Sequence, residues 1–100
     1  VVQRLAEARP QLIAPPDSAI LAPDPDIPQR AQAVLLQANG AGCLWLDGHA
    51  AAPCGRLKAL VPLPLPGSHR LELRAKGSGE VLDVHAFTVR ALSAPHRSGT

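Results

Sequence analysis

The sequence predicts an all-β fold, a small antiparallel β-sandwich of about seven short strands. Three observations carry this. Apolar residues recur with period two, as in His69-Arg70-Leu71-Glu72-Leu73-Arg74-Ala75, where odd positions are mostly apolar and even ones charged. Eleven prolines and eight glycines in 100 residues disfavour long helices. Turn signals divide the runs: Pro15-Pro16-Asp17, Asn39-Gly40, Asp47-Gly48, Pro66-Gly67 and Gly77-Ser78-Gly79.

The elements follow in order. Residues 1–9 contain good helix formers but stop at Pro10 and are too short to hold a helix alone. Residues 1–10 are therefore expected to be a linker from a preceding domain, and 11–92 the sandwich. Short strands fit Leu12–Ala14 and Ala19–Ala22. The stretch Pro23-Asp24-Pro25-Asp26-Ile27-Pro28 lacks ladder donors at each proline, so it reads as a stiff surface crossing. Gln32, Val34, Leu36 and Ala38 alternate along the next strand. Residues 42–47 form another, which Asp47-Gly48 turns back through 49–54. Strands at about 56–61, 69–75 and 80–90 complete an immunoglobulin- or fibronectin-like set, and 93–100 reads as a flexible tail.

Composition excludes several classes. A length of 100 residues points to one domain. No run approaches the ~20 apolar residues of a membrane-spanning helix. Ten basic residues against eight acidic ones, with no basic block, leave a weak footprint for nucleic acid. Trp45 and Phe87 are the sole aromatics, few for a sugar-stacking platform. The absence of Met leads us to expect a piece of a longer chain.

A search for chemistry is mostly negative. Ser-x-x-Lys, Lys-Thr-Gly, Gly-x-Ser-x-Gly and phosphate-cradling loops are missing, so no catalytic residue and no cofactor are expected. Cys43, His49 and Cys54 lie close in sequence, but their gaps do not fit a zinc site and no fourth ligand is near, so no metal is expected either. A two-residue turn at 47–48 would set Cys43 opposite Ala52, so a Cys43–Cys54 disulfide needs a longer loop or a shifted register. The bridge and two thiols both remain open.

Asp24 and Asp26 could act as paired carboxylates, but alternate residues of an extended segment tend to project to opposite sides, and solvated turn acids are the simpler reading. His69 is expected to be a structural histidine at the start of a strand. His85 shares a face with Phe87, whereas Leu82, Val84 and Ala86 share the other. Either a β-bulge near 84–86 or a half-buried His85 would reconcile the two sets. Trp45 is expected to plug the core, with an exposed binding anchor as the alternative. The candidate binding residues are Asp24, Asp26, Trp45, Asp47, Leu63, Leu65 and His69.

Five blocks in order then carry a resemblance. They are Leu12-Ile13-Ala14-Pro15-Pro16-Asp17, Ile20-Leu21-Ala22-Pro23-Asp24-Pro25-Asp26-Ile27-Pro28, Leu44-Trp45-Leu46-Asp47-Gly48, Pro64-Leu65-Pro66-Gly67-Ser68-His69-Arg70-Leu71 and Phe87-Thr88-Val89-Arg90. Over roughly residues 11–92 the chain resembles the C-terminal domain of class A penicillin-binding proteins of the 1C type. The resemblance implies a parent anchored in the bacterial inner membrane, with a glycosyltransferase domain, a transpeptidase domain and then this module on the periplasmic side. It implies that the catalytic residues lie in the other two domains. An oxidising periplasm would favour the disulfide. The chain departs from the pattern at Leu60, Leu63 and Leu65, where the family tends to show tryptophans, at His85, and at both cysteines.

The resulting expectation is a non-catalytic accessory module of a peptidoglycan synthase that docks a periplasmic protein, such as an α2-macroglobulin-like partner. The alternatives are a peptidoglycan-binding module and a brace on the parent's own transpeptidase domain.

Overall fold

In a computed structural model, residues 9–91 are described. The proposed linker at 1–10 and tail at 93–100 fall almost wholly outside them. Eight strands form among the described residues: β1 (Gln11–Ala14), β2 (Ala19–Leu21), β3 (Ala33–Asn39), β4 (Cys43–Leu46), β5 (His49–Ala50), β6 (Lys58–Pro62), β7 (Gly67–Arg74) and β8 (Val81–Val89). A 3-10 turn at Gln29–Ala31 leads into β3. The strands make a three-stranded sheet, β1-β3-β6, and a five-stranded sheet, β2-β8-β7-β4-β5.

The core is built by the predicted alternation. Val34, Leu36 and Ala38 of β3 and Leu12 of β1 face Leu44, Leu71, Leu73, Phe87 and Val89 of the other sheet. Each large apolar side chain buried here contributes about 1.5–3 kcal/mol relative to exposure. The β7–β8 pairing is the longest ladder, running from Gly67↔Val89 to Leu73↔Asp83 before shifting to Arg74↔Val81.

That ladder settles His85. The register is unbroken through 84–86, and the irregularity falls beyond it, where Leu82 is the extra residue. His85 stays on the Phe87 face, half-buried, and its Nδ1 lies 2.8 Å from the Pro15 carbonyl oxygen. Of the two alternatives, the half-buried His85 holds, and the ladder has no bulge at 84–86.

One strand departs from the antiparallel expectation. β2 pairs with β8 in parallel, Ala19↔Phe87 through Leu21↔Val89. Pro15 and Pro16 have no N–H to continue pairing with β3, so the chain crosses to the second sheet while keeping its direction. Polar clasps hold the crossing: Ser18 N donates to Ala86 O (2.6 Å), and Ala86 N to Asp17 Oδ1 (2.9 Å). Asp83 Oδ2 accepts from Leu12 N (2.9 Å), covering the otherwise open edge of β1.

Trp45 is not in the core. β4 pairs Leu44 with Leu73, Trp45 with Glu72 and Leu46 with Leu71. Once Leu71 and Leu73 turn inward, Leu44 and Leu46 must follow, and Trp45 goes to the outer face. There the Arg74 guanidinium lies over its ring, 4.2 Å from the centroid. Glu72 sits beneath Arg70 (2.9 Å) and Arg74 (2.6 Å), and the residue is only 7% exposed despite being on the solvent side of the sheet. A cation over a half-exposed ring contributes about 0.5–1 kcal/mol. Because Trp45 is the single tryptophan, Arg74→Ala should shift the chain's fluorescence emission to longer wavelength. An unchanged spectrum would mean that the guanidinium does not cover the ring.

Candidate apolar groove

Two proline-rich segments meet at one end of the sandwich. Pro23 and Ile27 come from the β2–β3 crossing, and Leu63, Pro64, Leu65 and Pro66 from the β6–β7 connection, with Gln29, Gln32 and Val89 completing the lining. Prolines stiffen both walls and leave them few backbone donors. Gln32 ties the walls together. Its Nε2 donates to Asp24 O (2.6 Å) and Ile27 O (3.1 Å), and its backbone carbonyl accepts from Leu63 N (3.1 Å). The free volume is about 110 Å³, well below the about 300–1,000 Å³ of sites that enclose a small molecule. It suits a side chain rather than a saccharide. Leu65 is 74% exposed at its lip.

Asp24 and Asp26 lie between Pro23 and Ile27 but are exposed and do not line the groove, and Asp24 Oδ1 accepts from Asp26 N (2.9 Å). This is an Asx-type turn, in which Asp24 serves as a turn acid. Among the described residues, no group of three or more His, Cys, Asp or Glu side chains is placed to hold a metal.

Asp47 and His69 support the second wall from below. Asp47 occupies the first turn position of the β4–β5 hairpin with φ +51°, a conformation that Asp tolerates and Gly48 continues. Its Oδ1 accepts from Arg70 N (2.8 Å), and its Oδ2 lies 2.6 Å from His69 Nδ1. The other ring nitrogen of His69 contacts the Leu65 carbonyl oxygen. The ring also packs on Phe87, centroids 5.6 Å apart. His69 is therefore a structural histidine, fully partnered. Burial lowers its pKa, but the hydrogen bonds to Asp47 and Leu65 outweigh this and raise it above 6.5. For Asp47, burial raises the pKa, but the hydrogen bonds from His69 and the Arg70 amide outweigh this and lower it below 3.8.

The sign of the pH dependence follows. A raised histidine pKa contributes stability present below pH 6.5 and lost as pH rises through the folded value. A lowered aspartate pKa contributes stability present above pH 3.8 and lost as pH falls through its folded value. The pair should stabilise the fold most between pH 3.8 and 6.5. Chemical denaturation across pH should show this window in the native chain and a flatter profile in His69→Phe.

Leu63, Leu65, Asp47 and His69 thus form one connected unit, whereas Asp24 and Asp26 lie in the opposing segment without lining the groove. Trp45 lies apart, on the outer face of the five-stranded sheet. Sequence reading missed Gln32 and Val89. The signal available was the pairing of two proline-rich segments on either side of a strand that opens with Gln32.

Cys43 and Cys54 are bridged, with Cα atoms 4.5 Å apart. The hairpin pairs only Trp45↔Ala50 and Leu46↔His49, with Ala51 N donating to Leu44 O. Residues 52–55 then leave the ladder around Pro53 and return, and Gly55 N donates to Gly42 O (3.1 Å). This wider loop places Cys54 against Cys43, where a continued hairpin would have placed Ala52.

Two β-sheets with a side-chain-sized apolar groove at one end define a small β-sandwich module. Residues 2–85 match the Penicillin-Binding Protein C-terminus Family, and the chain belongs to it. No curated protein and no solved structure shows significant similarity to the chain. No helix among the described residues is long and apolar enough to cross a membrane.

Proposed function

We propose that this chain is the non-catalytic accessory domain of a class A penicillin-binding protein of the 1C type, working on the periplasmic side of the inner membrane. In this reading the parent carries the glycosyltransferase and transpeptidase activities, and the domain docks a protein. The observation that carries it is the groove between Pro23–Ile27 and Leu63–Pro66. It is aliphatic, stiff-walled and sized for a side-chain anchor. Trp45, the one aromatic that could stack on a sugar at the surface, is covered by Arg74, which weighs against peptidoglycan as the ligand. A brace on the parent's transpeptidase domain is the second reading, favoured by Leu60, which is 72% exposed on the outer face of β6. An α2-macroglobulin-like periplasmic protein is the external partner suggested by the resemblance.

The test is co-sedimentation of the chain with purified peptidoglycan sacculi at low and high salt, beside titration calorimetry against the transpeptidase domain and the α2-macroglobulin-like protein. Docking predicts no salt-resistant pelleting and a protein complex weakened at least tenfold by Leu65→Asp. Salt-resistant pelleting with no protein complex would overturn it.

A further inference from the structure

The two ring nitrogens of His69 face two oxygens that carry no proton: the Asp47 carboxylate at Nδ1 and the Leu65 carbonyl at Nε2. Both nitrogens must donate, so the arrangement holds an imidazolium. Among the described residues, His69 is the only side chain that hydrogen-bonds to segment 64–66, in which Pro64 and Pro66 offer no N–H of their own. The wall's other backbone anchors lie at its ends, Leu63 N on Gln32 O and Gly67 paired with Val89. We propose that His69 is a pH-operated latch on the groove: its imidazolium fixes the Leu65 wall, and loss of its proton releases it. This rests on the groove being the binding site and names how that site would be regulated.

The charges around the latch make the outcome directional. Asp47 faces Nδ1 from the β4–β5 turn, and His49, on the same hairpin, lies close enough to interact electrostatically with Asp47. Arg70, next along β7, has its side chain on the opposite face of the sheet, engaged with Glu72. From β8 the contact is the apolar ring of Phe87. Gln29 and Gln32, the polar residues of the groove lining, carry no charge. A carboxylate is a stronger acceptor than an amide carbonyl, so the neutral ring keeps its proton on Nδ1. Nε2 then presents a lone pair to the Leu65 oxygen, and that contact turns from attractive to repulsive.

The test is an NMR pH titration of the 100-residue chain from acid to alkaline conditions, following the His69 ring and the methyl groups of Leu65, Leu63 and Ile27. The groove methyls should move with the same midpoint as His69, above 6.5. Asp47→Asn should bring both midpoints down together. In His69→Phe, which keeps the packing on Phe87, the groove transition should vanish. Groove methyls that stay fixed through the His69 midpoint, or that still titrate in His69→Phe, would overturn the latch. No partner is needed for this readout. A coincident titration in a chain that docks nothing would therefore remove the docking reading and leave the latch standing.

Discussion

Phe87→Ala is expected to cost about 3–5 kcal/mol, enough to leave a domain of this size largely unfolded at ambient temperature. Phe87 is 1% exposed and is the largest fully buried side chain. It sits where three strands meet: Ala19 of β2 pairs it on one side and His69 of β7 on the other. The ring also supports His69, so its loss removes both core volume and the floor of the latch. Urea denaturation followed by Trp45 fluorescence and by circular dichroism should show the loss of stability with both probes. Phe87→Leu, which keeps most of the volume, should retain the fold with a smaller deficit. A stable Phe87→Ala chain would mean that the packing between the two sheets is not as described.

Reducing the Cys43–Cys54 bridge should lower stability by about 3 kcal/mol, the chain-entropy value for a loop this short. The bridged cysteines are separated by 11 positions in sequence, and the enclosed segment has little else to hold it. β5 has two residues, and 52–55 make few backbone bonds. The effect should be local before it is global. Hydrogen exchange in 49–56 should accelerate on reduction, while β7 and β8 stay protected. Cys54→Ser should reproduce the reduced protein. Peptide mapping without reductant must first recover the linked peptides. Free thiols there, or equal stability with and without reductant, would remove the bridge from the account.

Much of the fold was legible because period-two alternation is a local property. His69–Ala75 displays its two faces within seven residues, and Asp47-Gly48 and Pro66-Gly67 mark their turns with backbone chemistry that few other residues supply. Leu63, Leu65, Asp47 and His69 could be singled out for the same reason, as apolar or partner-seeking residues beside turns. Their union with Ile27 and Gln32 could not. It depends on the crossing at 23–28 returning beside 63–66, some forty residues later in the chain.

Trp45 and Glu72 show where local reading stops. Alternation says that Trp45 and Leu44 lie on opposite faces but not which face is inside. That choice was made by the register of β4 on β7, where two inward leucines on each strand outweigh one tryptophan. Glu72 reads as a solvent residue in every local pattern, and only the convergence of Arg70, Arg74 and Trp45 buries it. The direction of β2 and the return of Cys54 to Cys43 are of the same kind. The sequence by itself determined the strands, the turns, the two faces of each strand and the family resemblance, since all of these are written in short-range order. Tertiary structure alone decided which face of β4 was buried, which edge β2 joined and which residues line the groove. Those choices come from contacts between segments far apart in the chain, and their free energy depends on register that no single strand contains.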